Sequence, residues 1–248
     1  MTLTIEMLYP EIANLHGDNA NIGYLARCLP DARVVRTGLN ETPEFVSGKV
    51  DLVYLGPLTE KGQIRAIARL TPYKSRIEEL IHSGTHFLFT HNAMECLGSR
   101  IVNTEMNYDM PGVGVFDFSS EVRMFERYTG KVMGSFDGVS QPIVGYKSQF
   151  SMVSGSPEIP GFMTNTRGIG RNPTTRVEGV RVNNFIGTSL IGPILVMNPH
   201  LAEWLVSSLV PTRKPELALK DFAFAAYDAR LREFQDDRTW SSFERVTR

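Results

Sequence analysis

The sequence predicts an α/β fold, a mostly parallel sheet flanked by helices with an antiparallel β extension. Three observations carry that prediction. Short apolar strand patterns alternate with amphipathic helical patterns in the N-terminal part of the chain, the spacing that parallel strands and crossover helices require. From Val113 to Val153 the pattern changes to short β runs separated by glycine and proline, which suits antiparallel strands. Between them, Thr85-His86-Phe87-Leu88-Phe89-Thr90 breaks sharply into His91-Asn92-Ala93 and then a helical pattern. That is the outline of a strand, a tight turn with an exposed and strained residue at its tip, and a helix.

Taken in order, Leu3 to Tyr9 alternates like a strand and Pro10 ends it. Asp18 or Asn19 is placed to cap a helix whose apolar face is Ile22, Leu25, Ala26 and Leu29, closed by Pro30. Ala32 to Val35 reads as a second strand and Lys49 to Gly56 as a third, stopping at Gly56-Pro57. Helices are expected from Glu60 to Leu70 and from Ser75 to His82, the second with a glycine stop at Gly84. Beyond the elbow, strands are expected over Val113 to Phe118, Gly130 to Phe136, Pro142 to Tyr146 and Val180 to Val182, with another strand and turn from Asn184 to Pro193. Asn198 reads as the cap of a helix with Pro199 at its first position. Pro215 to Phe234 reads as an amphipathic helix with Phe222, Ala226 and Phe234 as core contacts. The expected division is a domain over 1–212 and a terminal helix and tail over 213–248.

Composition narrows the function classes. A net charge of -1 with 21% charged residues offers no basic face for nucleic acid. No apolar run reaches the length of a membrane span, and no histidine or cysteine cluster suggests a metal. Two well-separated cysteines, Cys28 and Cys96, without a signal peptide point to a reducing, cytoplasmic setting. No cofactor motif is present. Gly168-Ile169-Gly170-Arg171-Asn172 has a phosphate-loop look but lacks the Lys-Ser/Thr ending and the following helix.

The elbow, the run from Gly187 through Gly192-Pro193 to Asn198-Pro199, and Gly168 to Asn172 with Glu178-Gly179 occur in one characteristic order. In that order the chain resembles the class I glutamine amidotransferases of the cobyric acid synthase type, nearest the GatD-type subunits of lipid II isoglutaminyl synthases. The resemblance implies a flavodoxin-like sheet and a glutamine pocket at the elbow. It also implies a MurT-like partner, a Mur-ligase-type subunit that activates a cell-wall precursor carboxylate with ATP.

Glutamine hydrolysis on such a scaffold needs a thiolate at the elbow tip, an imidazole to move the proton, and backbone N–H groups for the oxyanion. By the resemblance, the nucleophile position holds His91, the base position holds Ile191, and the oxyanion loop reads Gly56-Pro57-Leu58, where proline has no N–H to give. Gly145-Tyr146-Lys147-Ser148-Gln149 stands where the family has Gly-Phe-Glu-Asn-His. Cys96 lies on the segment after the tip and is expected to face the packing rather than substrate. Arg127 matches an arginine associated with glutamine binding, where it could hold a carboxylate or anchor a turn. The expectation is a subunit inactive as a glutaminase. Two other readings stay open: a protein that binds or senses glutamine or another small molecule in the old pocket, and an active isoglutaminyl synthase subunit with atypical catalysis.

Overall fold

Alternating apolar residues along the N-terminal strands place side chains on both faces of a central sheet, and helices cover each face. The computed structural model describes residues 2–156 and 158–239, with the backbone of 244–245. Its first half runs β1 (Thr4–Leu8), α1 (Ala20–Cys28), β2 (Arg33–Thr37), β3 (Leu52–Leu55), α2 (Glu60–Leu70), α3 (Lys74–His82) and β4 (His86–Thr90). It continues through β5 (Arg100–Asn103), β6 (Tyr108–Pro111), β7 (Phe118–Val122), β8 (Glu126–Ser135), β9 (Ile143–Gln149), β10 (Ser151–Gly155) and β11 (Met163–Arg167). Then follow β12 (Val177–Glu178), β13 (Val180–Val182), β14 (Phe185–Thr188), α4 (Ile194–Met197), α5 (Pro199–Leu209), α6 (Lys220–Gln235) and β15 (Glu244–Arg245).

Strands β13-β14-β4-β3-β1-β2 form the central sheet, parallel except for the β13–β14 pair. Ala66, Ile67, Ile77 and Leu80 pack with Val53, Leu55, Phe87 and Phe89 on one face. On the other, Ile22, Leu25, Leu201 and Leu205 pack with Leu52, Tyr54, Leu88 and Ile186. This is the period-two division of a strand between two cores. The β extension comprises a sheet ordered β10-β7-β5-β6 and a second ordered β12-β11-β8-β15, with β9 on β8. Its pairs are antiparallel apart from β5 with β7.

Five local expectations are corrected. Val113 to Phe118 is not the expected strand, and β7 begins only at Phe118. The N–H groups of Val113, Val115 and Phe116 bond back to Cys96 and Leu97 carbonyls, at 2.8, 2.9 and 3.0 Å, so they have no sheet partner. The segment after the elbow is a 3-10 helix, His91–Leu97, and not an α-helix. Neither Asp18 nor Asn19 caps α1 with its side chain; Asp18 is turned into the sheet. Asn198 does not cap α5 either. Its buried amide clasps Val144 of β9, accepting from the N–H at 2.8 Å and donating to the carbonyl at 2.9 Å. In α6 the core contacts are Tyr227 and Phe234, whereas Phe222 is 78% exposed and Ala226 lies in solvent. The helix meets β8 and β9 only along its C-terminal two thirds, through Met133, Val144 and Tyr146.

Candidate functional site

In a parallel sheet the strand C-termini carry the ligand loops. Here β4 sits between β3 and β14, so its end is flanked by the turn after Leu55 on one side and the turn after Thr188 on the other. The tip residue, His91, has φ +54°, a left-handed backbone that is costly for a residue with a Cβ. The strained elbow of the expected turn is therefore present.

Its surroundings are tightly tied. Asn92, buried, accepts from the Leu58 N–H at 2.9 Å and donates to the Leu58 carbonyl at 2.9 Å. Gln63 of α2 donates to the Asn92 carbonyl at 2.8 Å. Pro57 has no N–H and the Leu58 N–H is already bound, so neither can donate to an oxyanion at Gly56-Pro57-Leu58. Gly56 is needed for close approach, since a Cβ there would collide with the Ala13 carbonyl oxygen. Replacing Asn92 by alanine strands two buried backbone groups, and a loss of about 1–3 kcal/mol is expected. Urea denaturation checks this; an unchanged midpoint would mean the loop is held by other contacts.

Beneath the tip, Asp18 from the β1–α1 loop accepts from Tyr54 at 2.7 Å and from the Thr90 hydroxyl. Burial raises its carboxyl to about 6 against the lowering effect of those bonds. His91 Nε2 lies 3.3 Å from the Ser148 carbonyl, which can only accept, so Nε2 carries the proton. Burial, with smaller contributions from His16 and Lys147, holds the ring below the ordinary histidine range and therefore neutral. The His16 and His91 ring centres are 6.1 Å apart.

Ile191 is joined to β9 by its N–H, 2.9 Å from the Tyr146 carbonyl. The turn that contains it is held by Glu178, which accepts from Thr188 Oγ1 at 3.0 Å and Ser189 N at 2.7 Å and pairs with Lys147. Both members of that ion pair have fully buried side chains. Burial lowers Lys147 and the Glu178 charge opposes the shift. Cys96 is fully buried and its thiol is pushed well up by burial, which leaves no thiolate for attack. Arg127 is exposed on β8 with its guanidinium 5.0 Å from the centre of the Phe150 ring.

Phe150 in turn lines a small cavity at the elbow with His91, Asn92, Glu95, Gln149 and Ser189, of about 20 Å³. Room for one water is about all this offers. Glu95, which sequence reasoning missed, is buried there and raised to about 7 by desolvation, with the Ser151 hydroxyl donating to it at 2.7 Å. Its signal was a carboxylate between Met94 and Cys96 in an apolar segment. Lys147 and Glu178 had no comparable local signal.

Gly168 to Asn172 is a brace. The Gly170 and Arg171 N–H groups bond Thr175 and Val177 carbonyls, while the Arg171 guanidinium donates to the carbonyls of Gly179, Ile159 and Pro160, leaving no phosphate cradle. Among the described residues no group of three or more histidine, cysteine or acidic side chains could hold a metal, and no helix is long and apolar enough to cross a membrane.

No family model matches the sequence. The chain is 26% identical over 206 residues to the GatD subunit of lipid II isoglutaminyl synthase (glutamine-hydrolyzing) of Staphylococcus aureus, covering 82% of this chain and 83% of that one. It is 24% identical over 209 residues to the subunit of the same name from Streptococcus pneumoniae, covering 83% and 80%. A crystal structure of a glutamine amidotransferase superposes with a TM-score of 0.55 at 13% identity, over 82% of this chain and 98% of that one. The chain is thus a relative of the GatD subunits, built on the class I glutamine amidotransferase fold.

Proposed function

We propose that the chain is a GatD-like subunit that does not hydrolyse glutamine and acts with a MurT-like, Mur-ligase-type partner in amidation of a lipid II-type cell-wall precursor. The setting is the cytoplasm, in keeping with two free buried cysteines. The observation that carries the silent reading is the filled elbow. His91 occupies the strained tip, the Leu58 N–H is spent on Asn92, and a cavity of about 20 Å³ remains. Small-molecule sites run from about 300 Å³ upward, so the same cavity counts against a sensor of glutamine. The turn beside it is held by the buried Lys147–Glu178 pair.

Ammonia release from glutamine, measured for the chain alone and with a co-expressed Mur-ligase-type subunit, is expected at background in both cases. Turnover that disappears in His91→Ala would overturn the reading. Co-purification with that subunit tests the partner separately.

A further inference from the structure

We propose that the cavity beneath the elbow binds the ammonium ion, held by Gln149, His91, Glu95 and Glu60. The proposal takes its biological setting from the reading of the chain as an amidotransferase-type subunit that releases no ammonia, but the site itself stands on its donors and acceptors. Gln149 is 3% exposed, and its amide nitrogen is committed to the Arg171 carbonyl at 3.0 Å and to Met152 Sδ at 3.4 Å. Its Oε1 is buried with no partner. The proton of His91 is on Nε2, directed at the Ser148 carbonyl, so Nδ1 carries a lone pair and it too is buried without a partner.

Of the donors nearby, the Ser151 hydroxyl serves Glu95, one Asn92 amide N–H serves the Leu58 carbonyl and one Gln63 amide N–H serves the Asn92 carbonyl. Ser189 contributes to the wall, and among the described residues no lysine or arginine lines the cavity. Two carboxyl groups, Glu60 and Glu95, complete the lining, and once ionised, which for the buried Glu95 is at about pH 7 and above, they favour positive charge. A guest of one heavy atom that brings more donors than the two of water fits that surface, and ammonium brings four. A cavity of about 20 Å³ admits it and excludes its methylated forms.

The test is a thermal-melting titration of the full chain with ammonium chloride, ionic strength held constant with sodium chloride, beside parallel titrations with potassium chloride and methylammonium chloride. A saturable rise in Tm is expected for ammonium alone, with the apparent affinity at least tenfold weaker in Gln149→Leu. Glu60→Gln, in the first turn of α2, is expected to weaken it in the same sense and serves if the Gln149 variant does not fold. An equal response to potassium or methylammonium, a response that never saturates, or unchanged affinity in the folded variant would overturn the site. Glutamine turnover is read independently, so loss of the ammonium site and failure of the silent-subunit reading give different results.

Discussion

Lys147→Met is expected to destabilise the protein by about 3–5 kcal/mol, the cost of leaving one member of a buried ion pair without its partner. Lys147 on β9 and Glu178 on β12 have side chains with no solvent exposure. Glu178 would keep its bonds from Thr188 and Ser189 but lose the cation that offsets its desolvation. Lys147 also donates to the Gly170 carbonyl at 2.5 Å, so the brace at 168–172 loosens with it. For a chain of this size the melting temperature should fall by roughly 10 °C.

Lys147→Met combined with Glu178→Gln removes the orphaned charge while retaining an acceptor for Thr188 and Ser189, and it is expected to recover about half of the loss. Denaturant titrations of the three proteins measure both numbers. A single-variant cost under about 1 kcal/mol, the range of exposed ion pairs, would mean that water reaches the pair. Because Glu178 holds the turn that leads to Ile191, the single variant should also increase amide exchange at Ser189 and Ile191 before global unfolding.

The second large effect is a pH dependence centred on Glu95. Its carboxyl is raised from the ordinary 4.5 to about 7, chiefly by burial. A carboxyl raised on folding stabilises the native state fully below its unfolded value, and that contribution is lost as the pH climbs through the folded value. The window is therefore pH 4.5 to about 7, and the shift corresponds to about 3 kcal/mol. Asp18, raised from 3.8 to about 6, acts in the same direction at slightly lower pH.

Glu95→Gln keeps an acceptor for Ser151 and cannot ionise. It should match the wild-type stability near pH 4.5 and exceed it by about 2–3 kcal/mol at pH 8. Guanidinium denaturation of both proteins at the two pH values gives the comparison. A difference of the same size at both would show that Glu95 does not titrate in this window.

Much of the scaffold was legible in the residues. The parallel strands and helices of the first half follow from hydrophobic period, and α2 spans Glu60–Leu70 as expected. The turn at His91 was legible because an aromatic strand ends abruptly in small and polar residues, a local signal. The β extension was harder. Val113 to Phe118 carried a strand pattern, yet Val113, Val115 and Phe116 bond back to Cys96 and Leu97, a pairing that the pattern does not report. Phe222 followed the apolar period of α6 but precedes the stretch that reaches β8 and β9, and it stays in solvent.

Residue identity alone tells which groups stand at the elbow: an imidazole at His91, an aliphatic side chain at Ile191 and no N–H on Pro57. What became of the space, and of the groups that remain, is set by the fold. It brings Asn92 against Leu58, Gln149 beside His91 and Glu95, and Lys147 against Glu178 across 31 residues of chain. A period reports which side of an element turns inward, whereas desolvation and hydrogen-bond satisfaction depend on what the fold places opposite it.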